Sequence, residues 1–326
     1  MSHVPERLHR SELAVPAHSE RFFAKAAAGP ADVVFLDLED AIAPAAKDAA
    51  RAMAIGALNG VAWGARTMAV RVNALGTPWV LRDIVDVVRA CPRLDLILLP
   101  KAESAADVRF VDQLLTSLEA EAPRDRRIGI EVLLETARGV AYAEEIAASS
   151  PRLEAMVFGL GDYAADMRMP DTVFGRPNPD YAVLADADAN GARARHLNDH
   201  WHFALARIAN ACRAHGLRPV DGPYTDYRDH DGFMASARRA RALGCEGKWA
   251  IHPSQVEAAN AVFSPEPEKV AWARQVTAAL EQAKSSGRGA VGVGGVMVDL
   301  VHERRALEIL HRAAMIETAD RNREGR

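Results

Sequence analysis

The sequence predicts an α/β fold: a (β/α)8 TIM-type barrel followed by a C-terminal helical extension. Three observations predict it. Short apolar, β-branched runs alternate with longer helical patterns along the chain. The runs are nearly continuous in apolar residues, which suits parallel strands covered on both faces. Eight such units fall within about 250 residues, which favours closure over an open doubly wound sheet.

The eight runs are SELAVPA (11–17), DVVFLDLED (32–40), TMAVRVN (67–73), LDLILLPK (94–101), IGIEVLLET (128–136), LEAMVFGLGD (153–162), LRPVDGPY (217–224) and GKWAIHP (247–253). Between them lie helical stretches such as 79–91, 105–120, 139–150 and 231–244. Two segments break the repeat. Residues 164–200, rich in Asp, Asn, Pro and Gly, read as a long excursion after the sixth strand, on the face where barrels carry functional loops. After the eighth strand come a helix at 256–263, the turn SPEPE, a helix at about 267–285, a glycine stretch and a last helix at 300–321. The expected organisation is therefore a catalytic barrel over 1–255 and a helical module over 256–326. No internal repeat or low-complexity segment interrupts it.

Composition narrows the function classes. The 326 residues carry a net charge of −4 and no dense Lys/Arg run, so no nucleic-acid partner is expected. Cys91, Cys212 and Cys245 form neither a C-x-x-C pair nor a Cys/His cluster, and read as buried small residues in a reducing compartment. The opening MSHVPERLHR has no apolar core of a signal peptide, and no run approaches the roughly 20 apolar residues that span a bilayer. A soluble cytoplasmic protein with no membrane partner is expected.

In a barrel, catalysis sits where the C-terminal ends of the strands converge. Here those ends supply Asp37, Glu39 and Asp40 (second strand), Arg71 and Asn73 (third), Glu135 (fifth), Asp162 (sixth) and His252 (eighth). Uncompensated carboxylates at one mouth repel, and a hard cation such as Mg²⁺, with Mn²⁺ as a substitute, relieves this. Glu135 and Asp162, on adjacent strands, are the natural ligand pair, with Asp37, Glu39 and Asp40 holding metal-bound waters around them. Arg71 either pairs with a neighbouring acid or grips a substrate carboxylate such as that of a 2-oxo acid. His252, before Pro253, reads equally as a core histidine or as a mouth residue.

GRGAVGVGG (287–295) satisfies G-x-G-x-x-G, the dinucleotide fingerprint. That motif needs a strand before it and a helix starting inside it. Here a helical stretch ending LEQAKSSG precedes it, and the residues after it read as extended, so a nucleotide-binding dehydrogenase is disfavoured.

RSELAVPA, DVVFLDLEDAIAP, RVN, LPKAES, LLETARG, GLGDYAAD, PVDGPYTD and EGKWAIHPSQ together resemble the citrate lyase β-subunit-like family, closest to its malyl-CoA/β-methylmalyl-CoA lyase branch. The resemblance runs from about Arg10 to the last helix. It implies a trimer or hexamer, and Mg²⁺-dependent cleavage of a 3-hydroxyacyl-CoA to acetyl-CoA or propionyl-CoA plus glyoxylate, with the reverse condensation. It implies that Glu135 and Asp162 hold the metal, that Arg71 binds glyoxylate, and that Lys25 touches the CoA phosphates. Ile251, His252, Gly161 and Asp162 match positions contacting CoA or substrate, and Ala14 stands where relatives can carry a phenylalanine against the CoA. Asp299 matches an aspartate carried into a neighbouring subunit's active site, where it is the candidate acid/base. On this reading the glycines before Asp299 are the hinge of a lid. A malyl-CoA thioesterase and a CoA-independent pyruvate aldolase on the same scaffold are the alternatives.

Overall fold

All eight apolar runs form strands, and the sheet closes. The computed structural model describes residues 5–170 and 173–324. In chain order its strands are β1 (Ser11–Pro16), β2 (Val33–Asp37), β3 (Thr67–Arg71), β4 (Leu96–Leu99), β5 (Gly129–Leu134), β6 (Leu153–Phe158), β7 (Ala182–Ala187), β8 (Arg193–Leu197), β9 (Arg218–Asp221), β10 (Gly247–Ala250), β11 (Val291–Val293) and β12 (Val296–Val298). The barrel runs β1-β10-β9-β6-β5-β4-β3-β2, which is sequential order once β7 and β8 are set aside. Every pairing around it is parallel.

The continuous apolar runs have their cause in this closure. Val33, Phe35, Ala69, Leu98, Val157 and Trp249 fill the inside of the barrel. The intervening Val34 and Leu36 point the other way and are equally buried, because helices cover the outer face. The helix Val80–Ala90 shows how: Val80, Ile84, Val87 and Val88 bury one stripe of it. The helix Ala105–Glu121 starts on a capping box between Ser104 and Asp107.

One local expectation is corrected, and two gain detail. The stretch 139–150 is two short helices, Ala137–Ala141 and Ala143–Ala147, with Tyr142 between them. The 164–200 excursion is not irregular throughout, since it contains the antiparallel hairpin of β7 and β8. The strands of that hairpin are almost wholly exposed, so no alternation of buried residues marked them in the sequence; Asn190-Gly191, with Gly191 at φ 78°, was the available signal. The glycine stretch, read as extended, is a hairpin of β11 with β12. Gly294 (φ 55°) and Gly295 (φ 81°) make its two-residue turn, where two successive positive φ values favour glycine.

The chain divides into two compact units, Met1–Asn260 and Ala261–Arg326, and the helix Val256–Phe263 crosses the division. In the second unit the helices Pro267–Ser285 and Leu300–Glu324 pack around Ala273, Val276, Leu280 and Ala306, with Val298 of β12 buried among them. Among the described residues no helix is long and apolar enough to cross a membrane. The three cysteines are buried and unpaired.

The barrel interior also holds charge. Glu12 accepts a hydrogen bond from the indole Nε1 of Trp249 at 2.8 Å and pairs with His9 Nδ1 at 2.6 Å. Burial and the neighbouring Glu131 push the Glu12 carboxyl well up, and burial pushes Glu131 up to about 7. The folded state therefore holds protons here that an unfolded glutamate, near 4.5, has released. The stability this contributes is complete below that value and is lost as pH rises through about 7. Glu131→Gln cannot ionise, so its thermal unfolding midpoint is expected to fall less between pH 5 and pH 8 than that of the unaltered protein. An identical decline in both would refute the assignment.

Candidate active site at the mouth of the barrel

Parallel register sets the strand ends side by side: Asp37 opposite Arg71, Arg71 opposite Leu98, and Leu134 opposite Phe158. The residues at or just after these ends form one ionic cluster. Arg71 is its most connected member. Its Nε and Nη2 donate to the two oxygens of Asp37, each at 2.7 Å, and its Nη1 meets Glu39 at 2.9 Å and Asp40 at 3.3 Å. Burial alone would lower the guanidinium's pKa, but the three carboxylates outweigh it and the pKa is raised. Beneath Arg71 lies the Trp249 ring, 5.6 Å from the guanidinium carbon, itself packed on Phe35 and tied to Glu12. Lys47, buried, holds the loop after β2 from behind by donating to the carbonyls of Leu38 (2.8 Å) and Glu39 (2.6 Å).

Glu135 follows β5 and is 2% exposed. Its Oε1 accepts from the backbone N–H of Lys101 at 2.9 Å. Burial, then the charges of Glu39 and Asp162, push its carboxyl up to about 8, against the pull of Arg71 and Lys101. Gly159, after β6, makes room for it: a Cβ there would lie 2.4 Å from the Cβ of Glu135 and 2.6 Å from its Oε2.

Asp162 is not at a strand end as expected. It sits in the first turn of the short helix Leu160–Asp166, half-exposed, 3.8 Å from the ammonium of Lys101. Gly161 precedes it on the same helix, with Phe174 within contact range of a Cβ placed there. Asn73 turns away from the acids and donates to Asp83 at 2.6 Å. His252 is exposed, not a core histidine. It caps the turn Pro253–Gln255, its Nδ1 accepting from the Ser254 N–H at 3.2 Å, and it stacks on Tyr227 with centroids 4.8 Å apart. Ile251 is 39% exposed beside it, its N–H held by Gln255.

The structure thus brings together Asp37, Glu39, Asp40, Arg71, Glu135 and Asp162. Asp37 and Glu39 are engaged directly by Arg71, rather than standing free to hold waters. Ala14 is half-buried on β1 against the interior cluster, and Lys25 is exposed in the last turn of the helix Glu20–Ala28. Asp299 belongs to the second unit, where its Oδ1 caps the last helix by accepting from the Val301 N–H at 3.0 Å and pairs with His302 Nδ1 at 2.8 Å. Sequence reasoning missed Lys101, Lys47 and Trp249. Lys101 had a signal, since it ends the run LDLILLPK as the other site residues end theirs. Trp249 had none, because its partners Glu12 and Arg71 are far away in sequence; Lys47 lies only eight and nine residues from Glu39 and Leu38, but nothing in the sequence marked it as turning back onto their carbonyls.

Five carboxylates here face three cations: Arg71 and Lys101 in direct contact, and the ammonium of Lys47 behind Asp37, Glu39 and Asp40. Burial is the largest cause of the raised pKa of Glu135, and the neighbouring charges of Glu39 and Asp162 add to it. An all-oxygen donor set of one buried and one half-exposed carboxylate fits a hard divalent cation, which keeps open positions for waters or substrate oxygens.

A closed parallel barrel with an ionic cluster at the carboxyl ends of its strands defines a barrel enzyme. Residues 10–253 match the HpcH/HpaI aldolase/citrate lyase family, and the chain belongs to that family and is a carbon–carbon lyase. It is 46% identical to the L-malyl-CoA/β-methylmalyl-CoA lyase of Cereibacter sphaeroides over 96% of each chain. It is 36% identical to a (3S)-malyl-CoA thioesterase of the same species over 94% of this chain and 95% of that one. Among solved structures it resembles the CitE protein of Mycobacterium tuberculosis in complex with magnesium, acetoacetate and coenzyme A, with a TM-score of 0.68 and 34% identity over 94% of this chain and 98% of that one.

Gly159→Ala tests the geometry without touching a charge. Overpacking is expected to cost about 1–3 kcal/mol of stability. Displacing Glu135 by a fraction of an ångström to an ångström is expected to lower turnover by roughly tenfold to a hundredfold. Wild-type turnover in a folded Gly159→Ala protein would show that the position of Glu135 is not critical.

Proposed function

We propose that the chain is a Mg²⁺-dependent lyase that cleaves malyl-CoA or β-methylmalyl-CoA to acetyl-CoA or propionyl-CoA plus glyoxylate, and forms them by the reverse condensation. The observation that carries this reading is the juxtaposition of an oxygen donor pair, Glu135 and Asp162, with the anchored guanidinium of Arg71, in a chain similar over its whole length to a lyase of that name. Mg²⁺, or Mn²⁺ in its place, held by Glu135 and Asp162, would supply Lewis-acid polarisation of the glyoxylate carbonyl.

The chain's own residues do the rest. Asp37 occupies the Nε–Nη2 edge of Arg71, which fixes the plane of the fork. Asp40, exposed and at 3.3 Å, is the partner that a glyoxylate carboxylate would displace from Nη1. Trp249 keeps water from the underside of that pair. Asp299 is the acid/base that exchanges a proton at the acyl-CoA carbon. The contact with His302 holds its carboxyl below the usual aspartate range, so it is a carboxylate whose Oδ1 is oriented by that contact and by the Val301 N–H. Its place on the second unit suits delivery into a neighbouring subunit of a homotrimer or homohexamer, with the segment 287–298 as the lid that carries it. Lys25 would meet the CoA phosphates, and Ala14, Gly161, Ile251 and His252 the acyl-CoA. The second reading, a thioesterase, is favoured by the likeness to the malyl-CoA thioesterase and would use the same acids.

Purified protein with Mg²⁺ is expected to condense acetyl-CoA or propionyl-CoA with glyoxylate, read by mass spectrometry. EDTA should abolish this, and Mg²⁺ or Mn²⁺ should restore it. Asp299→Asn should lower turnover by roughly a hundredfold or more, the scale of a lost acid/base, with metal binding unchanged. Free CoA released from malyl-CoA without glyoxylate would establish the thioesterase instead. Activity indifferent to EDTA would reject the metal-dependent mechanism. A pyruvate–aldehyde aldolase unaffected by CoA, in a protein whose unfolding midpoint CoA does not raise, would reject both CoA readings.

A further inference from the structure

Lys101 holds two acids with two different parts of itself. Its backbone sits at φ 50°, a left-handed conformation that side-chain-bearing residues disfavour and that a lysine has no general reason to adopt. That turn aims its N–H at Oε1 of Glu135, 2.9 Å away, while its ammonium reaches Oε1 of Glu39 at 2.7 Å. The same ammonium lies 3.6 Å from Asp40 and 3.8 Å from Asp162. Its side chain is one-third exposed, at 33%, so it lies at the open mouth and not sealed below it. Lys47 is a useful contrast: it is buried and donates to backbone carbonyls, as a lysine that fastens a loop does. Lys101 donates instead to carboxylates, its ammonium to Glu39 and its backbone N–H to Glu135, one of the proposed cation ligands.

We propose that Lys101 is the resident counter-cation of the acid cluster: a positioning residue that holds Glu39 and Glu135 in place and sets how tightly Glu135 and Asp162 take a divalent cation. This rests on the cation-site reading above. A positive charge a few ångströms from Asp162 opposes a second, divalent one, so the site is weaker with Lys101 than without it. In return, the carboxylates stay gathered in the absence of the cation, where their mutual repulsion would otherwise spread them. The arrangement makes the cation exchangeable instead of permanently held.

The test is Mn²⁺ binding to the full-length, EDTA-treated protein, read by the electron paramagnetic resonance of free Mn²⁺ and by calorimetry. Lys101→Gln removes the charge and is expected to tighten Mn²⁺ binding by roughly tenfold at low salt. Lys101→Arg keeps the charge and should stay near the unaltered affinity. Lys101→Asn, whose side chain tolerates the left-handed backbone, should tighten binding as Lys101→Gln does and guards against a folding defect in the latter. Affinity unchanged or weakened in both neutral variants overturns the proposal, since Lys101 would then be a bystander or an aid to binding. Failure of the underlying reading looks different. There Mn²⁺ fails to bind the unaltered protein, or binds Glu135→Gln equally well, and the proposal falls with it.

Discussion

The mouth of this barrel carries more carboxylates than its own cations balance, and the surrounding structure is arranged around that excess. Asp37, Glu39, Asp40, Glu135 and Asp162 converge on Arg71 and Lys101. Arg71 is committed on one edge to Asp37, and Lys101 to Glu39, so Glu135 is left without a full cationic partner in a place where water is scarce. Burying a carboxylate without a full partner is costly, and its carboxyl responds by rising to about 8. A donor set held in this condition fits a hard divalent cation, such as the magnesium bound in the CitE structure that this chain resembles.

Holding such a cluster requires support from below and behind. Arg71 rests on Trp249, and Trp249 is fixed by Phe35 on one side and by the carboxyl of Glu12 on the other. Lys47 ties down the loop that carries Glu39, and Gly159 leaves the space that Glu135 fills. These contacts join β1, β2, β3, β5, the start of the helix after β6, and β10. Only a closed sheet places all of them within reach of one point. Loss of Arg71 would leave the buried carboxylate of Asp37 without its charge partner, a defect on the order of 3–5 kcal/mol. Precision at the mouth is thus tied to the stability of the whole barrel.

The second unit contributes by a different logic. Its core is small, with Val298 packed between two helices, and its hairpin turns on Gly294 and Gly295. Asp299 follows that hairpin directly and caps the last helix, so its orientation is set locally, by the N–H groups of that helix and by His302.

Much of this was legible in the sequence. Alternating apolar and helical stretches determined the barrel, because burial on both faces of a parallel strand leaves an unbroken apolar run whatever the neighbours are. Chemistry at strand ends was equally legible for Asp37, Arg71 and Glu135, since strand direction alone sends them to one mouth. What the sequence could not determine was pairing across it. That Arg71 is gripped by Asp37, that Trp249 lies under Arg71 with Glu12 beneath, and that Lys101 turns left-handed to hold Glu39 and Glu135 all depend on contacts between residues tens to hundreds of positions apart. Asp162 and His252 moved off their expected strand ends because a helix start and a capping turn took over there, and the exposed β7–β8 hairpin left no pattern of burial to read. Periodicity records which face of an element is buried; only the closed barrel decides which charges then meet.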